Sequence, residues 1–167
     1  TEGRVIYDGT FSKILSAGLR IGWATANKQI IERMVVAKQV NDVHTPLLNQ
    51  MMAAEYMTKY SLDDHIKEIR KLYGRKCKKM LAAMDEYFPK TCTYTRPEGG
   101  LFLFCTMHDG SNSADVLKRA IENKVAFVPG STFMVDIEKP TNTFRLNYSM
   151  VAEDKIETAI KALAAAL

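Results

Sequence analysis

From residue 27 onward the apolar positions of this chain fall into helical spacing; before it they do not. Ile30, Ile31, Met34, Val35 and Ala37 lie along one face, the period of a helix, and predict one over about residues 27–43. Thr45-Pro46 reads as a restart, with Thr45 as cap and Pro46 at the first helical position, and the second helix runs to about residue 60. Ser61 caps a third helix, with Asp64 near the capping-box position. Leu62, Ile66, Ile69, Leu72, Tyr73, Met80, Leu81, Met84 and Phe88 carry that helix to Pro89. Shorter runs rich in β-formers predict strands over residues 92–96, 101–106, 126–128 and 143–148. Helices over about 113–123 and 153–166 complete the pattern. Ahead of all this, residues 4–8 read as a buried strand closed by Gly9, and residues 18–25 as a second strand bracketed by glycines.

The order is two strands, three helices, then strands mixed with helices. It predicts an α+β fold: a mixed sheet covered by helices, with a two-strand start that cannot make a stable sheet alone. The change of period near residue 27 is the one candidate domain boundary.

Composition narrows the class. The 167 residues are 47% apolar and 25% charged, which excludes disorder and disulfide scaffolds and leaves a globular chain. A net charge of +4, from 23 Lys+Arg against 19 Asp+Glu, is too thin to argue for nucleic acid. No apolar stretch reaches the roughly 20 residues of a membrane span, and the Thr1-Glu2-Gly3-Arg4 start has no secretory pattern. Cys77, Cys92 and Cys105 are odd in number and form no CxxC pair, so they read as reduced thiols of a cytoplasmic protein. His44, His65 and His108 are isolated from one another and from the cysteines, so no metal site is expected.

Three smaller features read as structure. Lys67, Arg70, Lys71, Arg75, Lys76, Lys78 and Lys79 form a basic run on the third helix, without interleaved aromatics and diluted by Asp63, Asp64 and Glu68; a solvated face is expected. Met51, Met52 and Met57 are expected in core or dimer packing. The adjacent acids Asp63-Asp64 and Asp85-Glu86 point apart on a helix and make poor acid–base pairs.

Chemistry concentrates after the first strand. Lys13 follows Thr10 and Ser12 in a predicted turn, with Arg20 downstream. Hydroxyls and a guanidinium fork suit a phosphate group, and partial desolvation with a nearby cation would make Lys13 nucleophilic. By itself, a Ser-Lys pair in a loop is most often solvated surface.

A longer pattern changes that weighting. Gly9-Thr10-Phe11-Ser12-Lys13, continued by Ser16-Ala17-Gly18-Leu19-Arg20-Ile21-Gly22-Trp23, resembles the cofactor-lysine signature of class I/II, fold-type I aminotransferases, which use pyridoxal 5'-phosphate. Pro97-Glu98-Gly99-Gly100-Leu101-Phe102-Leu103-Phe104 resembles the family's small-domain Gly-Gly turn. Phe127-Val128-Pro129-Gly130-Ser131-Thr132-Phe133, followed by Phe144-Arg145-Leu146-Asn147-Tyr148-Ser149, resembles its carboxylate-binding end. The resemblance implies that Lys13 forms the Schiff base with the cofactor. It further implies that Thr10, Ser12 and Arg20 bind the cofactor phosphate, and that Arg145 grips the substrate α-carboxylate.

The branch it most resembles contains aminoadipate, kynurenine and aromatic aminotransferases, which move an amino group between an L-amino acid and a 2-oxo acid. A homodimer is implied as well. The alternative is the aminotransferase-like effector domain of a bacterial transcription regulator; a non-catalytic interaction module is a third reading.

The resemblance covers the second half of the family's pattern. The Gly-rich helix start, the ring-stacking aromatic, and the Asn, Asp and Tyr around the cofactor ring have no counterpart here. The chain is therefore expected to be a C-terminal piece, inactive by itself. On this reading residues 1–26 are a remnant of the large cofactor-binding domain, 27–60 are interdomain helices and 61–167 are the C-terminal small domain. An apolar patch is expected around Ile6, Leu15, Ile21 and Trp23.

Overall fold

The computed structural model describes residues 3–167; Thr1 and Glu2, part of the start read above for a leader, lie outside the described residues. Two compact units result, one through Arg70 and one from Lys71 onward.

In the first unit, strands β1 (Tyr7–Thr10) and β2 (Gly22–Thr25) form an antiparallel pair with Tyr7 opposite Thr25 and Thr10 opposite Gly22. β1 begins three residues later than expected, because Val5 and Ile6 are about half exposed rather than buried in a sheet. The pair needs its glycines. A Cβ on Gly22 would sit 2.9 Å from the Gly9 carbonyl oxygen, and one on Gly9 would enter the Trp23 indole at 2.6 Å. Helix α1 (Lys28–Asn41) starts where Asn27 accepts the Ile30 N–H at 2.9 Å, an Asx cap.

Helix α2 (Leu47–Lys59) begins one residue later than the Thr45-Pro46 pattern suggests. Pro46 is itself the cap and takes the Gln50 N–H on its carbonyl, so Thr45 lies outside the helix. The apolar faces of both helices are open: Val36, Val40, Leu48 and Met51 are all more than half exposed, and of α2 only Ala53 is buried. The methionines of α2 therefore are not core. The expected patch is also corrected, since Ile21 is buried at 8% exposure while Ile6 and Trp23 are open.

Helix α3 (Leu62–Tyr87) starts as expected, with the Asp64 N–H on Ser61 Oγ at 3.2 Å. In the second unit, strands β3 (Cys92–Tyr94), β4 (Phe102–Met107), β5 (Val128–Pro129) and β6 (Thr143–Asn147) form a sheet ordered β3-β4-β6-β5. Its neighbouring strands are all antiparallel rather than mixed. Helix α4 (Ser113–Glu122) does reverse the chain so that β4 and β5 share a direction, but β6 lies between them and opposes both.

One sheet face carries Leu103, Cys105, Phe144 and Leu146 into the core, against Met80 and Met84 of α3, Val116 of α4, and Ile156 and Ile160 of α5 (Ile156–Ala164). Phe144, Leu103 and Ile156 are fully buried, each worth about 1.5–3 kcal/mol of transfer energy. The architecture is α+β, as the element order predicted. None of the helices among the described residues is long and apolar enough to cross a membrane.

Candidate active site

The first cluster is built by the turn after β1. Thr10 is extended (φ −134°, ψ 142°), and its Oγ1 accepts the Ser12 N–H at 3.1 Å while donating to Ser12 Oγ at 2.9 Å. That short bridge closes a 3-10 turn over Phe11–Lys13. The Phe11 carbonyl then gathers the N–H groups of Ile14, Leu15 and Ser16, while the Phe11 N–H donates to Ile21 at 3.0 Å. The loop is thereby tied across the mouth of the β1–β2 pair.

Arg20 sits in the left-handed region, φ 54°, ψ 43°, a conformation that costs a non-glycine residue about 1–3 kcal/mol. Its Nη1 donates to Ser12 Oγ at 3.5 Å and to the Ala17 carbonyl at 3.3 Å. Asn49 of α2 holds the same loop by donating to the Leu19 carbonyl at 3.0 Å. Thr10, Ser12 and Arg20 therefore form one connected set of donors, with Lys13 on the next residue. The described hydrogen bonds of Arg20 all go to uncharged oxygens, so its cation is not spent on a carboxylate. Lys13 itself is exposed; the partial desolvation expected from its turn is not supplied by the residues around it.

The second cluster lies in the other unit, on the sheet face turned away from the core. Strand alternation puts Thr143, Arg145 and Asn147 on that face of β6, with Phe102 and Phe104 beside them on β4. Phe104 is directly opposite Arg145. The Arg145 guanidinium carbon lies 4.0 Å from the centroid of the Phe102 ring and 4.7 Å from that of Phe133. Phe104 meets Phe133 edge-on, with centroids 6.1 Å apart. Arg145 is half-buried, and among the described residues no carboxylate pairs with it.

Phe133 is delivered by another 3-10 turn, Gly130–Phe133, directly after β5. Gly130 makes that approach possible, since a Cβ there would come within 1.9 Å of Thr143 Oγ1 and 2.7 Å of the Thr143 carbonyl oxygen. Phe102 and Phe133 both stand in the motifs quoted from the sequence, but nothing in their spacing gave them a part beside Arg145. Only the β4–β6 register and the turn after β5 reveal it.

The site residues are thus brought together in part. Thr10, Ser12, Lys13 and Arg20 share one turn, and Arg145 has its own aromatic surround in the other unit. What the two arrangements offer chemically is a set of hydrogen-bond donors suited to a phosphate in the turn that carries Lys13, and, among the described residues, a guanidinium with no carboxylate partner, suited to a substrate carboxylate. Among the described residues no three His, Cys, Asp or Glu side chains converge on a metal-sized site.

The family model described as aminotransferase class I and II matches residues 1–163. The chain belongs to this family. Its class I/II relatives include aromatic-amino-acid aminotransferase 1 of Thermococcus litoralis, 42% identical over 163 residues, which are 98% of this chain and 39% of that protein. Among solved structures, the kynurenine aminotransferase of Pyrococcus horikoshii, crystallised with PMP, kynurenine and product, superposes with a TM-score of 0.93 at 46% identity, covering 99% of this chain and 41% of that one. The alpha-aminoadipate aminotransferase LysN of Thermus thermophilus, complexed with N-(5'-phosphopyridoxyl)-L-leucine, gives 0.92 at 38% identity, over 97% of this chain and 41% of that one. The chain thus spans about two-fifths of the length of these relatives.

Proposed function

We propose that this chain carries the cofactor lysine and the substrate-carboxylate arginine of a pyridoxal-phosphate-dependent aminotransferase that moves an amino group between an L-amino acid and a 2-oxo acid. The observation that carries the reading is the preassembled turn. Thr10 Oγ1, Ser12 Oγ and the Arg20 guanidinium are already hydrogen-bonded into one set in the turn that carries Lys13. Such a set fits a phosphate monoester, which wants several charge-assisted donors at once. The phosphopyridoxyl compounds in the relatives' structures support the same assignment.

Pyridoxal phosphate, when bound, supplies an electron sink that acidifies the substrate α-carbon. The chain's residues do the rest. Thr10, Ser12 and Arg20 anchor the phosphate. Lys13 Nζ would hold the cofactor and is the amine placed to accept and return the α-proton. Arg145 takes the α-carboxylate on its two-pronged N–H edge and so fixes the orientation of the bond to be broken. The relatives' names support a substrate of the aromatic, kynurenine or aminoadipate kind.

Within this reading residues 1–26 belong to a cofactor-binding domain, 27–60 link it onward and 61–167 form the small domain. The three free, buried thiols support a reducing, cytoplasmic setting. The open apolar faces of α1 and α2 support a protein partner, which we take to be a second copy.

A visible absorbance scan with added pyridoxal phosphate tests the assignment. A weak near-visible band that borohydride removes, and that Lys13→Ala does not show, is the expected result, since much of the cofactor shell has no counterpart in this chain. An equal band in Lys13→Ala would refute it.

A further inference from the structure

We propose that Phe102 and Phe133 are positioning residues for the substrate carboxylate, holding the Arg145 guanidinium against two phenyl rings so that its charge and its N–H edge stay available to an anion. The proposal rests on the reading of Arg145 as the carboxylate grip and adds how that grip is kept ready.

An arginine side chain carries large rotamer freedom, which a substrate would have to quench unless the protein had done so already. A protein can restrain a guanidinium with a carboxylate or with aromatic faces. A carboxylate neutralises it and occupies the fork. A ring attracts the cation through its π-face while accepting none of the in-plane N–H bonds. Arg145 has the second kind of surround. Phe102 is 4.0 Å away and Phe133 4.7 Å, and no carboxylate among the described residues competes.

The rings are themselves held. Phe102 is built into β4, two residues from the position facing Arg145. Phe133 is braced by Phe104 at 6.1 Å and set by the turn that Gly130 packs onto Thr143. Phe133 is 45% exposed and Phe104 38%, more than core packing alone would leave open. A stack kept on an exposed sheet face, around an unpaired cation, fits a receptor for a carboxylate.

The test is an NMR titration of the chain with pyruvate, read at the Arg145 side-chain Nε–Hε signal and at the backbone amides of residues 144–147. The expected result is a ring-shifted, resolved Nε–Hε signal that moves on titration. In Phe133→Leu and in Phe102→Leu that ring shift is lost and pyruvate binds about three- to tenfold more weakly, while Phe133→Trp, which keeps an aromatic face, restores both. Arg145→Lys abolishes the response at residues 144–147. If Phe133→Leu and Phe102→Leu bind pyruvate as the unaltered chain does while Arg145→Lys does not, the positioning role is overturned and the carboxylate grip stands. If Arg145→Lys leaves the response intact, the grip itself is wrong and the positioning role falls with it.

Discussion

Tyr94 donates its phenolic hydrogen to Asp85, oxygen to oxygen 2.6 Å, and so ties β3 to α3. Arg96 bonds the same carboxylate. The Tyr94 hydrogen bond, then the one from Arg96, hold Asp85 below the usual carboxylate range. A carboxylate held low in the folded state contributes stability above its unfolded pKa of about 4, and loses it as the pH falls through the folded value. The gap in urea midpoint between the native chain and Tyr94→Phe should therefore be widest at neutral pH and narrow below about pH 4. A gap that stays constant to pH 2 would contradict this.

At the alkaline end the sign reverses. Burial first, then its bond to Asp85, pushes the Tyr94 phenol up to about 12. Burial likewise pushes Tyr148 up to about 12, with the neighbouring Cys77 adding to it; its hydroxyl donates to the Gly100 carbonyl at 2.7 Å. Both groups favour the neutral phenol in the fold, so their contribution is complete below the ordinary tyrosine value of about 10 and is lost as the pH rises towards 12. Absorbance titration of tyrosinate formation should show late-ionising phenols, one of them removed by Tyr94→Phe and another by Tyr148→Phe. Ionisation of all seven tyrosines in one step near 10 would refute it.

Gly130→Ala introduces a Cβ 1.9 Å from Thr143 Oγ1 and 2.7 Å from its carbonyl oxygen. The clash falls on β6, two residues before Arg145. We expect a loss of about 1–3 kcal/mol by chemical denaturation, the usual cost of overpacking. The double variant with Thr143→Ala should recover only part of it, because the carbonyl contact remains. Complete recovery would show that the hydroxyl alone demands the glycine.

Lys76 is 9% exposed and donates from Nζ to the Ser149 carbonyl at 2.8 Å, joining α3 to the segment just after β6. Lys76→Met keeps the aliphatic stem and strands that carbonyl, so the urea midpoint should fall by the equivalent of about 1–3 kcal/mol. A midpoint equal to or above that of the native chain would mean that burying the ammonium costs as much as the bond returns.

The helices were legible because their apolar residues repeat with the period of the secondary structure itself: α3 runs from just after Ser61 to just before Pro89, as its pattern requires. β1 was misplaced because Val5 and Ile6 have the residue types of a buried strand but not its burial. The start of α2 was read one position early because the same dipeptide can cap a helix or open its first turn, and only the Gln50 hydrogen bond distinguishes the two. The motif residues Thr10, Ser12, Lys13 and Arg20 were visible together since one short turn holds them. The setting of Arg145 was not, because Phe102 and Phe133 are 43 and 12 positions away, and cross-strand register is a property of the folded sheet. The exposure of Lys13, by contrast, is the ordinary state of a Ser-Lys pair in a loop, as the sequence by itself suggested.

The central claim, that this chain holds pyridoxal phosphate through Lys13, is tested most directly by reducing the mixture of the two with borohydride and mapping the product by peptide mass spectrometry. The account predicts a phosphopyridoxyl adduct concentrated on Lys13, diminished by Arg20→Ala through loss of the phosphate anchor. An adduct spread over exposed lysines such as Lys28, Lys67 and Lys118, with no preference for Lys13, would contradict it.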